Sequence, residues 1–294
     1  MGPRHIRDAR ARGARRLSIG QARSGHRQWG AALALAALAV AGTGCASVNR
    51  LREAQESFNQ AAAEENRLRF DAALQEGPSQ APLIQNTTIQ NGYASALLSL
   101  DKLEARDIAR LQQDKLWGNV LALKALAQWK LGLRDKAAAT AREMQQAGAD
   151  QVHPRDRALL LALPGLIKTD EAFAALQRVP AAPDAGQRAA TLRNVQSLVA
   201  DAGVAIDQAR AAADPAHPVH VYLIQARLAA LRNLQSAHER LGDGDARTLP
   251  AGERDAVRQL LKALKCQSDR LEGKPDVTSY WANRFTLTPA PGAC

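Results

Sequence analysis

Leu192, Val195, Val199, Ala202, Ile206, Ala209 and Ala213 recur at strict spacings of three and four. An α-helix puts such positions on one face, because each residue turns the chain by about 100°. A stripe this narrow predicts a helix packed in a bundle or an antiparallel hairpin. Asp184 follows the break made by Pro180 and Pro183 and is placed to cap its start. Asp214, Pro215 and Pro218 then turn the chain, and Val221, Ile224, Leu228, Leu231 and Leu234 form a returning face that Gly242 to Gly244 ends.

The same logic runs through the rest of the chain. Leu51, Ala54, Phe58, Ala61, Leu68 and Ala72 stripe an earlier helix, interrupted by Glu65. Glu65 is expected to reach the edge of that contact and pair with a neighbour rather than act in catalysis. The segment at residues 77–82, GPSQAP, ends this helix, since proline cannot continue the hydrogen-bond ladder. Tyr93, Ala96, Leu97, Leu100 and Leu103 mark another, and Leu116, Val120, Leu123, Ala127 and Leu131 a further one that stops at Gly132. Asp135 can cap the next helix, which ends near Gly148, and His153-Pro154 opens one with proline in its first turn. Val257, Leu261, Leu264 and Leu271 mark the last. Alanine and leucine dominate and β-branched runs are scarce, so the expected class is all-α, with antiparallel helical hairpins arranged as a solenoid or bundle and an irregular C-terminal tail.

The net charge of +10 invites a nucleic-acid reading. Eight of the 39 basic residues and one of the 29 acidic ones lie in residues 1–44, which leaves 31 against 28 from Cys45 onward, a net +3. No basic stripe interleaved with aromatics remains, so no nucleic-acid partner is expected. The basic excess sits instead at Arg4, Arg7, Arg10, Arg12, Arg15, Arg16, Arg23 and Arg27, ahead of the alanine-rich run at residues 31–41 and of Gly42-Thr43-Gly44-Cys45. Positive, apolar and small-residue regions in that order form a secretory leader. The run is too short and too rich in alanine and glycine for a membrane span, which needs roughly 20 apolar residues.

The end of the leader resembles the lipobox of bacterial lipoproteins, departing from it at Gly42, where that family usually has leucine. The resemblance implies lipidation of Cys45 and a cell-envelope location. Ala46 after the cysteine implies an outer-membrane lipoprotein facing the periplasm, because inner-membrane retention in related systems goes with aspartate. Lipid would then account for Cys45, leaving Cys266 and Cys294 as an even pair in an oxidising compartment and predicting a disulfide, with two unrelated thiols as the alternative. Tyr280, Trp281 and Phe285 lie close together in the tail between them. They either pack back on the last helices or form an exposed patch, and packing back is the expectation because exposed aromatic clusters are uncommon.

Residues 125–141, ALAQWKLGLRDKAAATA, resemble the middle of a tetratricopeptide repeat, with Ala125, Leu131, Gly132 and Ala137 where that family packs its two helices closely. Gln128 and Ala141 replace the usual large side chains. A second weak copy would start at Gly165, with Glu171, Ala172 and Phe173 following. The resemblance implies a helical-hairpin array presenting a groove, with Gln128, Trp129 and Arg134 lining or bordering a partner-binding surface while Leu123, Ala127 and Leu131 hold the hairpin shut.

Candidate chemistry is sparse. His217 and His220 are the one close histidine pair in residues 45–294, but a metal site wants three or four convergent ligands and the nearest carboxylate is Asp214. His238 continues the face of Leu231 and Leu234 and reads as a helix-interface residue. No nucleophile elbow, phosphate loop or zinc-protease helix occurs, so no catalytic residue, metal or cofactor is assigned. The organisation expected is a signal peptide over residues 1–44, a lipidated N-terminus with helix and linker over 45–85, tetratricopeptide-like hairpins over 86–179, a C-terminal hairpin region over 180–275 and an aromatic tail over 276–294. The function expected is that of a membrane-tethered, non-enzymatic scaffold binding envelope proteins or peptides. An envelope enzyme or small-ligand binder with a dispersed site is the alternative.

Overall fold

The computed structural model describes residues 46–75, 86–147, 151–152, 154–243, 247–268 and 277–286. The leader, Cys45, the GPSQAP linker, His153 and Cys294 lie outside them. Ten α-helices and no strand occur among the described residues: α1 (Ala46–Gln75), α2 (Thr87–Asp101), α3 (Ala105–Gln113), α4 (Trp117–Lys130), α5 (Arg134–Ala147), α6 (Pro154–Gln177), α7 (Ala185–Ala212), α8 (Pro218–Leu241), α9 (Ala251–Ser268) and α10 (Val277–Arg284). The chain is all-α, as its patterning requires. Helices pack chiefly on near neighbours in sequence: α1 on α2, α3 and α4; α4 on α5 and α6; α6 on α7 and α8; α8 on α9; and α9 on α10.

Local chemistry explains most boundaries. The Asn86 side chain accepts from the N–H groups of Thr88 and Ile89 at 3.0 and 3.2 Å and starts α2. Asp184 caps α7 through a reciprocal box, its carboxylate accepting from Gln187 N–H at 2.7 Å while the Gln187 side-chain Oε1 accepts from Asp184 N–H at 3.2 Å. Helix α4 ends at Gly132, whose φ of 75° is a left-handed conformation natural to glycine. There the N–H of Leu133 reaches back to the Gln128 carbonyl at 2.8 Å, the closing bond of a Schellman motif. Helix α3 ends the same way with Lys115 at φ 56° and a bond from Leu116 N–H to the Leu111 carbonyl.

Three expectations change. Asp135 does not cap α5 but lies in its first turn, where a carboxylate still favours the positive helix end. Gly165 does not begin a second hairpin copy, because α6 runs unbroken through it and through Pro164. A Cβ built at Gly165 would come within 2.7 Å of the Ala202 carbonyl oxygen and 2.9 Å of Ile206 Cγ1, so this glycine marks the close approach of α6 to α7. The tail is not irregular throughout: residues 277–284 form α10, held by burial of Trp281, Ala282 and Phe285. Trp281 stacks on Phe285 at 6.5 Å and Arg284 lies 4.3 Å from the Tyr280 ring centroid. The aromatics pack back on the body, as expected.

Candidate functional site

Helix α4 carries two of the three residues singled out as a partner surface, Gln128 and Trp129, and its packing removes both. Of residues 120–129, only Lys124 is not buried. The reason is that α4 is enclosed by α2, α5 and α6, so the helix is covered well beyond its leucine stripe. Gln128 is 5% exposed and accepts a hydrogen bond from the Thr140 hydroxyl of α5 at 2.8 Å. Trp129 is 8% exposed and donates its indole N–H to Asp170 of α6 at 2.7 Å. Both belong to the core, which corrects their assignment to a groove. Arg134, at the start of α5, stays half-exposed beside Leu133, which is exposed at the hairpin turn. Leu123 and Ala127 are fully buried and Leu131 packs partly against the core.

A buried polar knot lies beside Trp129. Glu65, 6% exposed on α1, accepts from the Tyr93 hydroxyl of α2 at 2.5 Å through one oxygen and from Lys130 Nζ of α4 at 2.9 Å through the other. The Lys130 ammonium sits 4.5 Å from the Trp129 ring centroid and 6.0 Å from that of Tyr93. With the Trp129–Asp170 bond, the knot joins α1, α2, α4 and α6. Glu65 thus pairs with a neighbour, as its place in the stripe implies. Lys130 is not legible as that neighbour, since it lies 65 residues away in the sequence. A carboxylate with both oxygens engaged and an ammonium boxed between rings orders the four helices.

The histidines are not assembled into a ligand set. His217 caps α8, its Nδ1 accepting from Val219 N–H at 3.2 Å. Among the described residues, no group of three or more histidines, cysteines and carboxylates is placed to hold a metal ion. His220 is half-buried, and burial, then the Arg210 charge, push its pKa below the ordinary 6.5, against a smaller upward pull from Asp214. Below that pH the unfolded chain takes up a proton that the folded one resists, so stability falls as pH drops through 6.5 and the loss levels off beneath the folded value. Urea unfolding of native protein and the His220→Gln variant, followed from about pH 7 to about pH 5, should show the steeper decline in the native chain. Parallel profiles would remove His220 as the cause.

A cleft of about 240 Å³ lies between α7, α8 and the start of α9, lined by Val199, Leu231 and Leu234 together with His238, Arg227 and Glu253. Arg227 is already engaged, pairing with Asp207 at 3.3 Å. Gly203 leaves room for this arrangement, since a Cβ there would lie 2.7 Å from the guanidinium carbon and would make the end of the Arg227 side chain shift. On α9, Cys266 is half-buried and disulfide-bonded. No protein-family model, curated protein or solved structure matches the chain.

Proposed function

We propose that the protein is a bacterial outer-membrane lipoprotein, anchored through Cys45 and facing the periplasm, that serves as a helical scaffold for other envelope proteins or peptides. The observation that carries this reading is that α1 packs into the body within two residues of the cysteine that ends the leader. Ser47, Leu51, Ala54 and Phe58 of α1 are buried. A long tether would let the body tumble, whereas so short a connection would keep the body close to its anchor. Two or more acyl chains, each contributing about 0.8 kcal/mol per buried methylene, would hold it firmly.

The α4–α5 hairpin, turned at Gly132, supports the tetratricopeptide-like reading of residues 116–147. With Gln128 and Trp129 in the core, the partner surface is the hairpin turn at Leu133 and Arg134. Pairing of Cys266 with Cys294 would clamp the tail over α10 and belongs to the same reading, since an oxidising compartment favours it. Fractionation tests the anchor: Cys45→Ser should move the protein from the membrane to the soluble fraction, and unchanged membrane retention would sink the proposal. Cross-linking of the anchored protein in its native envelope, followed by identification of what is captured, tests the scaffold role. Capture that survives Arg134→Glu would exclude the hairpin turn as the contact.

A further inference from the structure

Anchoring at Cys45 has a geometric consequence for the surface beside it. Ala46 belongs to α1 and follows Cys45 directly, and a trans peptide sets their Cα atoms about 3.8 Å apart. Arg50 lies four residues further on, about 6 Å along the helix axis. Its guanidinium donates to the carbonyl oxygen of Lys102 and pairs with Asp107 at 3.5 Å. Adding the reach of the Arg50 side chain and its contacts, the corner between α2 and α3 is held within about 20 Å of the anchoring residue, on the side of the body that carries the start of the chain from Cys45. An acylated cysteine must sit at the depth of the lipid headgroups, a layer roughly 5–8 Å thick on each side of the hydrocarbon core.

We infer that the α2–α3 corner and the outer face of α3 rest on the phosphodiester headgroups of the bilayer. The inference rests on the anchoring reading above and adds which side of the body meets the lipid. Helix α3 is suited to this. Leu111 is fully buried and Asp107 is taken by Arg50, so its inner side is committed to the body. Arg106 and Arg110, one turn apart on the outer side, have side chains 80% and 56% exposed, and Lys102 is exposed at the corner. Their partners Glu104 and Asp114, at 3.0 and 3.6 Å, sit at the two ends of α3, in solvated pairs that bind weakly. Lipid phosphates can compete for these guanidinium groups with charge-assisted hydrogen bonds.

The test uses full-length protein, purified after processing, with a fluorophore on Ala109→Cys, an exposed position of α3 between the two arginines. Val204→Cys on α7 is the reference. Val204 is 60% exposed, and α7 is separated from α1 by α4 and α6. Cys266 is already in a disulfide and does not take the label. Each protein is reconstituted into vesicles of phosphatidylethanolamine and phosphatidylglycerol that carry a headgroup nitroxide, and its mass is measured to read acylation. The label at 109 should be quenched several-fold more strongly than that at 204, and Arg106→Gln with Arg110→Gln should weaken the difference. Acylated, vesicle-bound protein with equal quenching at both sites would overturn the seating and leave the anchor standing. A mass without acyl chains would overturn both.

Discussion

Replacing Gly165 with alanine should lower the thermal unfolding midpoint by roughly 2–8 °C, although alanine is the better helix former. The added Cβ would sit 2.7 Å from the Ala202 carbonyl oxygen, 2.9 Å from Ile206 Cγ1 and 3.2 Å from Ala205 Cβ. The nearest of these is backbone, which cannot swing aside like the end of a long side chain. Overpacking of this kind costs about 1–3 kcal/mol, and alanine recovers up to about 1 kcal/mol in helix propensity. A net loss near 1–2 kcal/mol corresponds to about 2–4 °C per kcal/mol for a domain of this size. Gly252 is the control, because it lies exposed in the first turn of α9 with nothing within 4 Å of an added methyl group. Alanine there should leave stability unchanged or raise it by up to about 1 kcal/mol. Equal behaviour of the two variants in a calorimeter would mean that α6 and α7 do not approach this closely.

The contrast between these glycines also explains what the sequence discloses. Asp184 and the stripe of α7 are legible because capping and periodicity are local: Val195, Val199, Ala202, Ile206 and Ala209 are all buried, on the face their spacing defines. Gly165 reads wrongly as repeat punctuation because close approach depends on Ala202 and Ile206, which lie in another helix. Gln128 and Trp129 mislead for a related reason. A polar residue beside an apolar stripe is usually at the surface, but α4 is enclosed by three helices, and the hydroxyl of Thr140 and the carboxylate of Asp170 satisfy the buried polar atoms.

Helix α10 adds another case. Its eight residues are too few to be stable alone, and nothing in their pattern announces a helix. Burial supplies what propensity lacks, as Ala282 is fully covered and the Trp281 indole reaches Gln225 of α8 at 3.5 Å. Helix α3 is a short polar segment with one fully buried leucine. Its reciprocal box, in which Glu104 N–H meets the Asp107 carboxylate at 3.1 Å, is the local signal that the sequence offers. That box matters because the same Asp107 receives Arg50 from α1 and ties α3 to α1.

Lys130→Met should be more damaging than either glycine change, at about 3–5 kcal/mol, because it removes the cation from a buried pair and leaves the Glu65 charge uncompensated. The side chains of Glu65 and Lys130 are only 8% and 12% exposed, so water cannot take over the lost contact. A methionine fills much of the lysine stem's volume, which separates the charge effect from a cavity. Removing both charges should largely restore stability: Glu65→Gln with Lys130→Met keeps an acceptor for the Tyr93 hydroxyl while burying no ion. Urea unfolding of the two single variants, the double variant and the native protein gives the coupling directly. If the double variant is as unstable as Lys130→Met alone, the knot matters through packing around Trp129 rather than through its charge pair. If the expected recovery is seen, Glu65 and Lys130 couple α1 to the α4–α5 hairpin through their charges, about 28 Å along the α1 axis from Ala46, and a shift of α1 would reach the turn carrying Leu133 and Arg134.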